Sequence, residues 1–247
     1  MVEESLKKYS GLSDQSFTDE YSKYQNLSFN QKTDDEYFQI LKLIVFYSGF
    51  KAETVTNKLD IINSHLPDYK TISLFGKEQI ESMLADKKMI KNKLKIGAIV
   101  KNAKTFKSII SQYGSFHNYI SKFNPATSFE NLMLLKEELE YRFAFLGGIT
   151  VYHFLTDIGL PVLKPDRVLT RIFKRLNLIE DERQLLKTVL QGLKFAEATG
   201  KPIRYIDIIF VTYGQQGING ICLSKNPKCS LCGLANQCPY YAQLKLP

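Results

Sequence analysis

All four cysteines of this 247-residue chain lie within one short stretch near its C terminus. Six, two and five residues separate successive members, which are Cys222, Cys229, Cys232 and Cys238. No cysteine remains elsewhere in the chain to form a disulfide with them, so the clustering favours a shared metal site. Four thiolates suit either a zinc ion or an iron-sulfur cluster.

The spacing of the cysteines favours the cluster over zinc. Zinc ribbons usually carry two short Cys-x-x-Cys pairs, whereas only Cys229 and Cys232 form such a pair here. The wide first gap suits a loop that wraps around a bulkier group. We therefore expect a 4Fe-4S cluster bound by the loop 222–238. The alternatives are a zinc site and four unrelated structural cysteines.

The rest of the chain has the apolar periodicity of helices. The clearest repeat runs from residue 91 to 113, where apolar side chains recur every three or four positions. Capping boxes at Thr33/Glu36 and Thr127/Glu130 predict two helix starts. No pair of alternating strands joined by a short turn appears, so we predict an all-α fold. The further helices are expected at 53–64, near 80–84, and at 150–158, 167–176, 181–198 and 203–215.

Charge and composition restrict the class of partner. The chain has 33 Lys plus Arg against 25 Asp plus Glu, a formal charge of +8 and a pI of about 9.1, which favours a polyanionic partner. With 44% hydrophobic and 23% charged residues, the chain is expected to fold. No run approaches the roughly 18 apolar residues of a membrane helix. We therefore expect no membrane partner, a cytoplasmic location (at the nucleoid in a bacterium) and a monomer.

Two further motifs, in a fixed order, make a family resemblance specific. The cysteine loop resembles the 4Fe-4S loop of the endonuclease III family, the helix-hairpin-helix DNA glycosylases. Upstream, the run Leu146-Gly147-Gly148-Ile149-Thr150 stands at the hairpin of that family. The run Lys164-Pro165-Asp166-Arg167 then stands at its catalytic aspartate. The stretch from Met89 to Phe116 resembles 3-methyladenine DNA glycosylase I, which has the same fold.

The resemblance implies a two-domain helix-hairpin-helix glycosylase fold. One helical domain would span residues 50–160 and end in the hairpin. The second would combine residues 1–49 with 161–247 and carry the cysteine loop. The partner would be double-stranded DNA containing a damaged base.

The resemblance also implies an activity, with some departures. Tyr152 replaces the lysine with which bifunctional members form a Schiff base, so we expect a monofunctional glycosylase acting on alkylated purines such as 3-methyladenine. Ile44 stands at the position of the pocket glutamate of 3-methyladenine glycosylase I, and the zinc site of that family is missing. One alternative is a bifunctional glycosylase and AP lyase on oxidised pyrimidines, with Lys164 as the amine. The other is a non-catalytic iron-sulfur DNA-binding protein.

The candidate site residues follow from the chemistry of base excision. Cleaving an N-glycosidic bond builds positive charge on the deoxyribose, and a fixed carboxylate stabilises that charge. Asp166 is the candidate, although Pro-Asp-Arg before a helix also reads as an N-cap. Aromatic side chains would hold the unstacked base, or else belong to the core. The base-pocket candidates are Tyr37, Phe46, Tyr47 and Tyr152, and the DNA-binding candidates are Gly147, Gly148, Thr150, Arg167, Arg171 and Lys174.

Overall fold

The computed structural model describes residues 1–26, 29–216 and 220–244, and these residues are helical without any β-strand. Two short 3-10 turns, Cys229–Leu231 and Ala235–Gln237, lie between the last two helices. The α-helices of the described residues are α1 (Val2–Ser10), α2 (Asp14–Ser22), α3 (Asp34–Tyr47), α4 (Ala52–Thr56), α5 (Leu59–His65), α6 (Tyr69–Ile72), α7 (Lys77–Ala85), α8 (Lys93–Tyr113), α9 (Phe116–Ser121), α10 (Phe129–Arg142), α11 (Ile149–Asp157), α12 (Arg167–Arg175), α13 (Leu185–Thr199), α14 (Ile203–Gly214) and α15 (Pro239–Leu244). The prediction of an all-α chain is confirmed.

Local sequence signals fix the ends of several helices. The predicted capping box of α3 is present, since Thr33 accepts a hydrogen bond from the Glu36 amide and Glu36 accepts one from the Thr33 amide. Helix α8 follows its apolar repeat closely and stops at Gly114, whose φ of 79° favours glycine. The predicted bounds of α12 and α14 each differ from the observed ones by one residue.

Other boundaries differ from the prediction. The helix expected at 53–64 is divided into α4 and α5, because the backbone leaves helical geometry at Lys58. The cap of α10 is Ser128 rather than Thr127, and its hydroxyl accepts the Asn131 amide at 3.1 Å. Helix α13 begins four residues later than expected. Helices α1 and α2 were not predicted.

The chain divides into two compact units. The inserted unit comprises residues 29–160, and the terminal unit comprises residues 1–28 with 161–247. The first boundary differs from the expected one at 49/50, because α3 packs against α8, α9 and α11 of the inserted unit.

Aromatic contacts form the core of the inserted unit. Phe106 on α8 stacks on Phe116 of α9 with ring centroids 4.3 Å apart, and the ring of Phe38 on α3 meets Phe106 edge-on. Phe154 on α11 also meets Phe116 edge-on. All four side chains are buried. One ring cluster thus joins α3, α8, α9 and α11.

The terminal unit is built on α14, which packs against α1, α12 and α13. Phe173, Phe195 and Phe210 join α12, α13 and α14 through ring contacts of 5.2–5.7 Å. Two glycines allow close approach here. A Cβ on Gly214 would lie 2.5 Å from Val168, and one on Gly192 would lie 1.9 Å from Leu163. The segment 163–168 therefore packs closely against both α13 and α14.

Lys42 on α3 is a buried charge whose pKa predicts a pH effect on stability. Its ammonium donates to Asn63 Oδ1 at 2.9 Å and to the Leu66 carbonyl at 2.6 Å. Burial lowers its pKa from 10.5 to about 8, so the unfolded chain holds this proton more tightly than the folded chain. The buried ammonium therefore lowers the free energy of unfolding by its full amount below pH 8, and this destabilisation disappears as the pH rises toward 10.5.

We expect wild type to gain up to about 3 kcal/mol of unfolding free energy relative to Lys42→Met between pH 7 and pH 10.5. Urea unfolding at several pH values measures this difference. Lys107→Met is the matched control, since Lys107 is an exposed lysine on α8. Equal pH dependence in wild type and Lys42→Met would contradict the prediction.

Among the helices of the described residues, none combines the length and apolar character needed to cross a membrane.

Candidate active site

Asp166 is the N-cap of α12, and its two carboxylate oxygens have different surroundings. Oδ1 accepts hydrogen bonds from the Val168 and Leu169 amides at 2.8 and 3.1 Å. Oδ2 accepts none from any described residue, and the side chain is partly exposed. The cap thus fixes the carboxylate through one oxygen and leaves the other available for a ligand.

A tight turn holds Asp166 in place. The Asp166 amide donates to the Lys164 carbonyl at 2.8 Å, and the Lys164 amide donates to Oδ2 of Asp207 at 3.1 Å. Asp207 is fully buried on α14 and also accepts a hydrogen bond from Arg204. Burial raises the pKa of Asp207, and the Arg204 charge opposes that shift. Asp207 was not among the predicted site residues, although a single acidic residue in a largely apolar helix indicates a buried polar role.

The hairpin Gly147-Gly148 precedes α11, with φ 59° and ψ −119° at Gly148, a conformation open to glycine. Both amides of these DNA-binding candidates already have acceptors within the chain. The Gly147 amide donates to the Thr150 hydroxyl, and the Gly148 amide donates to Oε1 of Glu140, both at 2.9 Å. Thr150 in turn donates to backbone carbonyls. A carboxylate therefore occupies the anion-binding position of this helix start.

Glu140 is itself held by a lysine. Its Oε2 accepts from Lys136 at 2.7 Å, and Lys136 also donates to Glu137 at 2.8 Å. Burial disfavours the charge of Lys136, but the two carboxylates outweigh burial and raise the pKa of its ammonium. Glu140 is 23% exposed and Glu137 is 72% exposed. The Gly148 amide of the hairpin is thus bonded to Glu140, which forms a partly buried ion pair with Lys136.

The basic residues of α12 do not form one free face. Arg171 donates to the Gly214 and Cys222 carbonyls at 2.6 and 3.1 Å, so its guanidinium holds the start of the cysteine loop. This corrects its expected role as a phosphate ligand. Arg167 and Lys174 are exposed, and their side chains make no hydrogen bond or ion pair with any described residue. These two remain the DNA-binding candidates of α12.

Three of the four base-pocket candidates are core residues. Tyr37, Phe46 and Tyr152 are 0%, 0% and 2% exposed, so they present no face on which a base could stack. The Tyr37 hydroxyl lies 3.0 Å from His117 Nδ1. Burial raises the pKa of Tyr37 to about 12. Tyr47 alone is partly exposed, with its hydroxyl 3.0 Å from that of Thr56. Helical spacing alone had not separated core from pocket.

The cysteine loop follows α14, and the four thiols are free and partly buried. Arg175 donates to Cys222 Sγ at 3.3 Å, and the Tyr213 hydroxyl donates to Cys232 Sγ at 2.9 Å. Burial raises the pKa of Cys229, and the charges of the other three cysteines raise it further. Hydrogen-bond donors are therefore aimed at two of the four sulfurs of the loop.

Sulfur donors of this kind match the chemistry of either a zinc ion or an iron-sulfur cluster. In the ranges 1–26, 29–216 and 220–244, no three His, Cys, Asp or Glu side chains are arranged as a ready site for a metal ion.

Comparisons with known proteins bear on the fold and the family. The sequence model of the methyladenine glycosylase family matches residues 15–163, more than half of the chain. The structure of the 8-oxoguanine DNA glycosylase of Thermotoga maritima is 17% identical, covers 88% of this chain and 99% of its own, and gives a TM-score of 0.57. The 3-methyladenine DNA glycosylase I of Staphylococcus aureus is 20% identical, with 61% and 88% covered and a TM-score of 0.46. No curated protein sequence matches the chain.

The family match defines the class of the protein as a DNA glycosylase, an enzyme that hydrolyses the N-glycosidic bond of a base. The enzyme functions in base-excision repair, and it acts on DNA. The chain belongs to the methyladenine glycosylase family.

Proposed function

We propose that the enzyme is a monofunctional glycosylase that removes alkylated purines such as 3-methyladenine from double-stranded DNA, and that it acts as a monomer. The family match over residues 15–163 supports this substrate class. The observation that carries the mechanism is the carboxylate of Asp166, with one oxygen fixed by two amides and the other free.

In the proposed reaction, the bond between the sugar carbon and the base nitrogen breaks, and its electron pair leaves with the base. Positive charge builds on the deoxyribose, and the free oxygen of Asp166 stabilises it. The same oxygen orients the water that adds to the sugar carbon and takes up its proton. Tyr152 is buried at the position of the Schiff-base lysine, which supports simple hydrolysis without a covalent intermediate.

Base release from defined duplexes tests the substrate. Duplexes containing 3-methyladenine, 8-oxoguanine or an oxidised pyrimidine are incubated with the enzyme, and the free base is quantified. We expect release of 3-methyladenine and no trapped adduct on borohydride reduction. A trapped adduct that disappears in Lys164→Ala would instead establish the bifunctional alternative on oxidised pyrimidines.

We propose that the hairpin binds a DNA phosphate by exchange, in which the phosphate replaces Glu140 on the Gly148 amide. Phosphates and carboxylates use the same donors at a helix start. Lys136, once released from Glu140, would add a positive charge beside the phosphate. The exposed Arg167 and Lys174 would bind the DNA backbone without reading sequence. Binding of this kind weakens steeply with salt.

We expect Glu140→Ala to strengthen binding to damaged and undamaged duplexes by about 3- to 10-fold, because it frees the Gly148 amide and removes a negative charge. Fluorescence anisotropy at several salt concentrations measures the effect. Glu137→Ala is the matched control, since Glu137 contacts the same lysine but not the hairpin. Equal affinities of the two variants, or a weaker Glu140→Ala, would contradict the exchange.

We also propose that residues 222–238 bind a 4Fe-4S cluster. The four free thiols within 17 residues of sequence support it, and so do the hydrogen bonds from Arg175 and Tyr213 to two of the sulfurs. Such a cluster would hold the loop in shape rather than react, since binding of a metal group by a loop is coupled to its folding. Lys225 and Lys228 would then be presented to the DNA backbone.

A further inference from the structure

Asp207 is the one fully buried acidic side chain among the described residues. Its Oδ2 accepts hydrogen bonds from the Lys164 amide and from Arg204, whereas its Oδ1 is buried without a partner in the described part of the chain. The Arg204 Nε atom is likewise buried and unpaired. Burying a carboxylate so incompletely satisfied is costly, and an apolar residue in α14 would avoid that cost.

The partner of Asp207 connects it directly to the proposed catalytic group. Lys164 donates its amide to Asp207, and its carbonyl accepts the amide of Asp166. Only Pro165 lies between Lys164 and Asp166, and its ring restricts the backbone of the turn. Two hydrogen bonds and one rigid residue therefore link Asp207 to Asp166.

The surroundings of the turn leave it little freedom. Leu163, on one side, packs against Gly192, and Val168, on the other, packs against Gly214. These apolar contacts hold the residues on either side of the turn. Within the turn, the first amide, that of Lys164, is held by its hydrogen bond to Asp207. The cap bonds from Val168 and Leu169 hold the Asp166 carboxylate, and Asp207 holds the backbone of the turn that leads to it.

We propose that Asp207 is a positioning residue for Asp166, which anchors the turn 164–166 so that the free oxygen of Asp166 keeps its direction toward the sugar. This inference rests on the proposed role of Asp166. Its consequence is specific: loss of the acceptor slows the chemical step and leaves DNA binding unchanged. Small misplacements of a catalytic group reduce rates by about 10- to 100-fold.

Two variants separate the acceptor from the charge. Asp207→Asn keeps a carbonyl oxygen for the Lys164 amide. The double variant Arg204→Met/Asp207→Leu removes the acceptor and replaces the buried ion pair with apolar side chains, a change that many proteins tolerate in stability. Thr188→Val is the matched control, because Thr188 is a fully buried polar residue of α13 whose hydroxyl donates to the carbonyl of Gln184, the N-cap of that helix.

Single-turnover base release, duplex affinity and melting temperature are measured for each protein. We expect the double variant to lose about 10- to 100-fold in rate at unchanged affinity, and Asp207→Asn to stay within about threefold of wild type. In an Asp166→Asn background, the double variant should cause no further loss, because Asp207 acts only through Asp166.

The proposal would be overturned if the double variant kept the wild-type rate and Asp166→Asn was inactive. A rate loss of equal size in the Asp166→Asn background would also overturn it, as would a loss that merely follows the melting temperature in the way Thr188→Val does. If Asp166→Asn is itself fully active, the proposed role of Asp166 fails, and the positioning role fails with it.

Discussion

Asp166→Asn should lower single-turnover base release by about 10²- to 10⁴-fold while lesion binding and the melting temperature stay near wild type. Asparagine keeps an oxygen for the Val168 and Leu169 amides, so the N-cap survives. It removes the negative charge that the free oxygen offers to the developing sugar cation. The defect should therefore appear in chemistry and not in folding.

Two comparisons make the Asp166 result specific. Asp166→Ala should add a stability loss of roughly 1 kcal/mol, because the cap itself is lost. Asp68→Asn is the matched substitution at another N-cap, where Asp68 accepts the Thr71 amide at 2.8 Å, and it should leave activity unchanged. Full activity of Asp166→Asn would redirect the search to Glu140 or Asp157. In the structure, Glu140 is paired with Lys136, and Asp157 lies 3.2 Å from His153.

Anaerobically prepared protein should contain about four irons per chain and absorb broadly in the visible range. Cys232→Ser should remove both the iron and the colour, and it should lower the melting temperature, because the Gly233 amide beside Cys232 is bonded to Ser5 of α1. Ser230→Ala, an exposed neighbour in the same loop, is the control and should keep its iron. One zinc and no iron per chain would end the cluster assignment.

The sequence predicted best where one local signal was sufficient. Helix α8 has a long apolar repeat, α3 has its capping box, and Asp166 has the residue type and position of an N-cap. Helices α1 and α2 were missed because each is short and polar and buries only a few side chains. Phe17 and Tyr21, four residues apart and both buried, were the available signal for α2.

The site was predicted less well, because hydrogen-bond partners distant in sequence decide what each side chain does. Arg171 looks like a surface cation until the carbonyls of Gly214 and Cys222 come within reach. The hairpin amides look free until Glu140 turns back to Gly148. An exposed charge and an internally paired charge have the same letter in a sequence, and tertiary contacts alone distinguish them.

The route of the chain has a consequence for biosynthesis. Ser5, in the first helix, bonds the amide of Gly233, which is separated from it by 228 positions. At about 5–20 residues per second, roughly 10 to 45 s of translation separate the two. Helix α1 therefore leaves the ribosome long before α14 or the cysteine loop exists, while residues 29–160 can already fold behind it. The contact between α1 and the cysteine loop therefore forms only after residue 233 has been synthesised, and until then α1 lacks this partner.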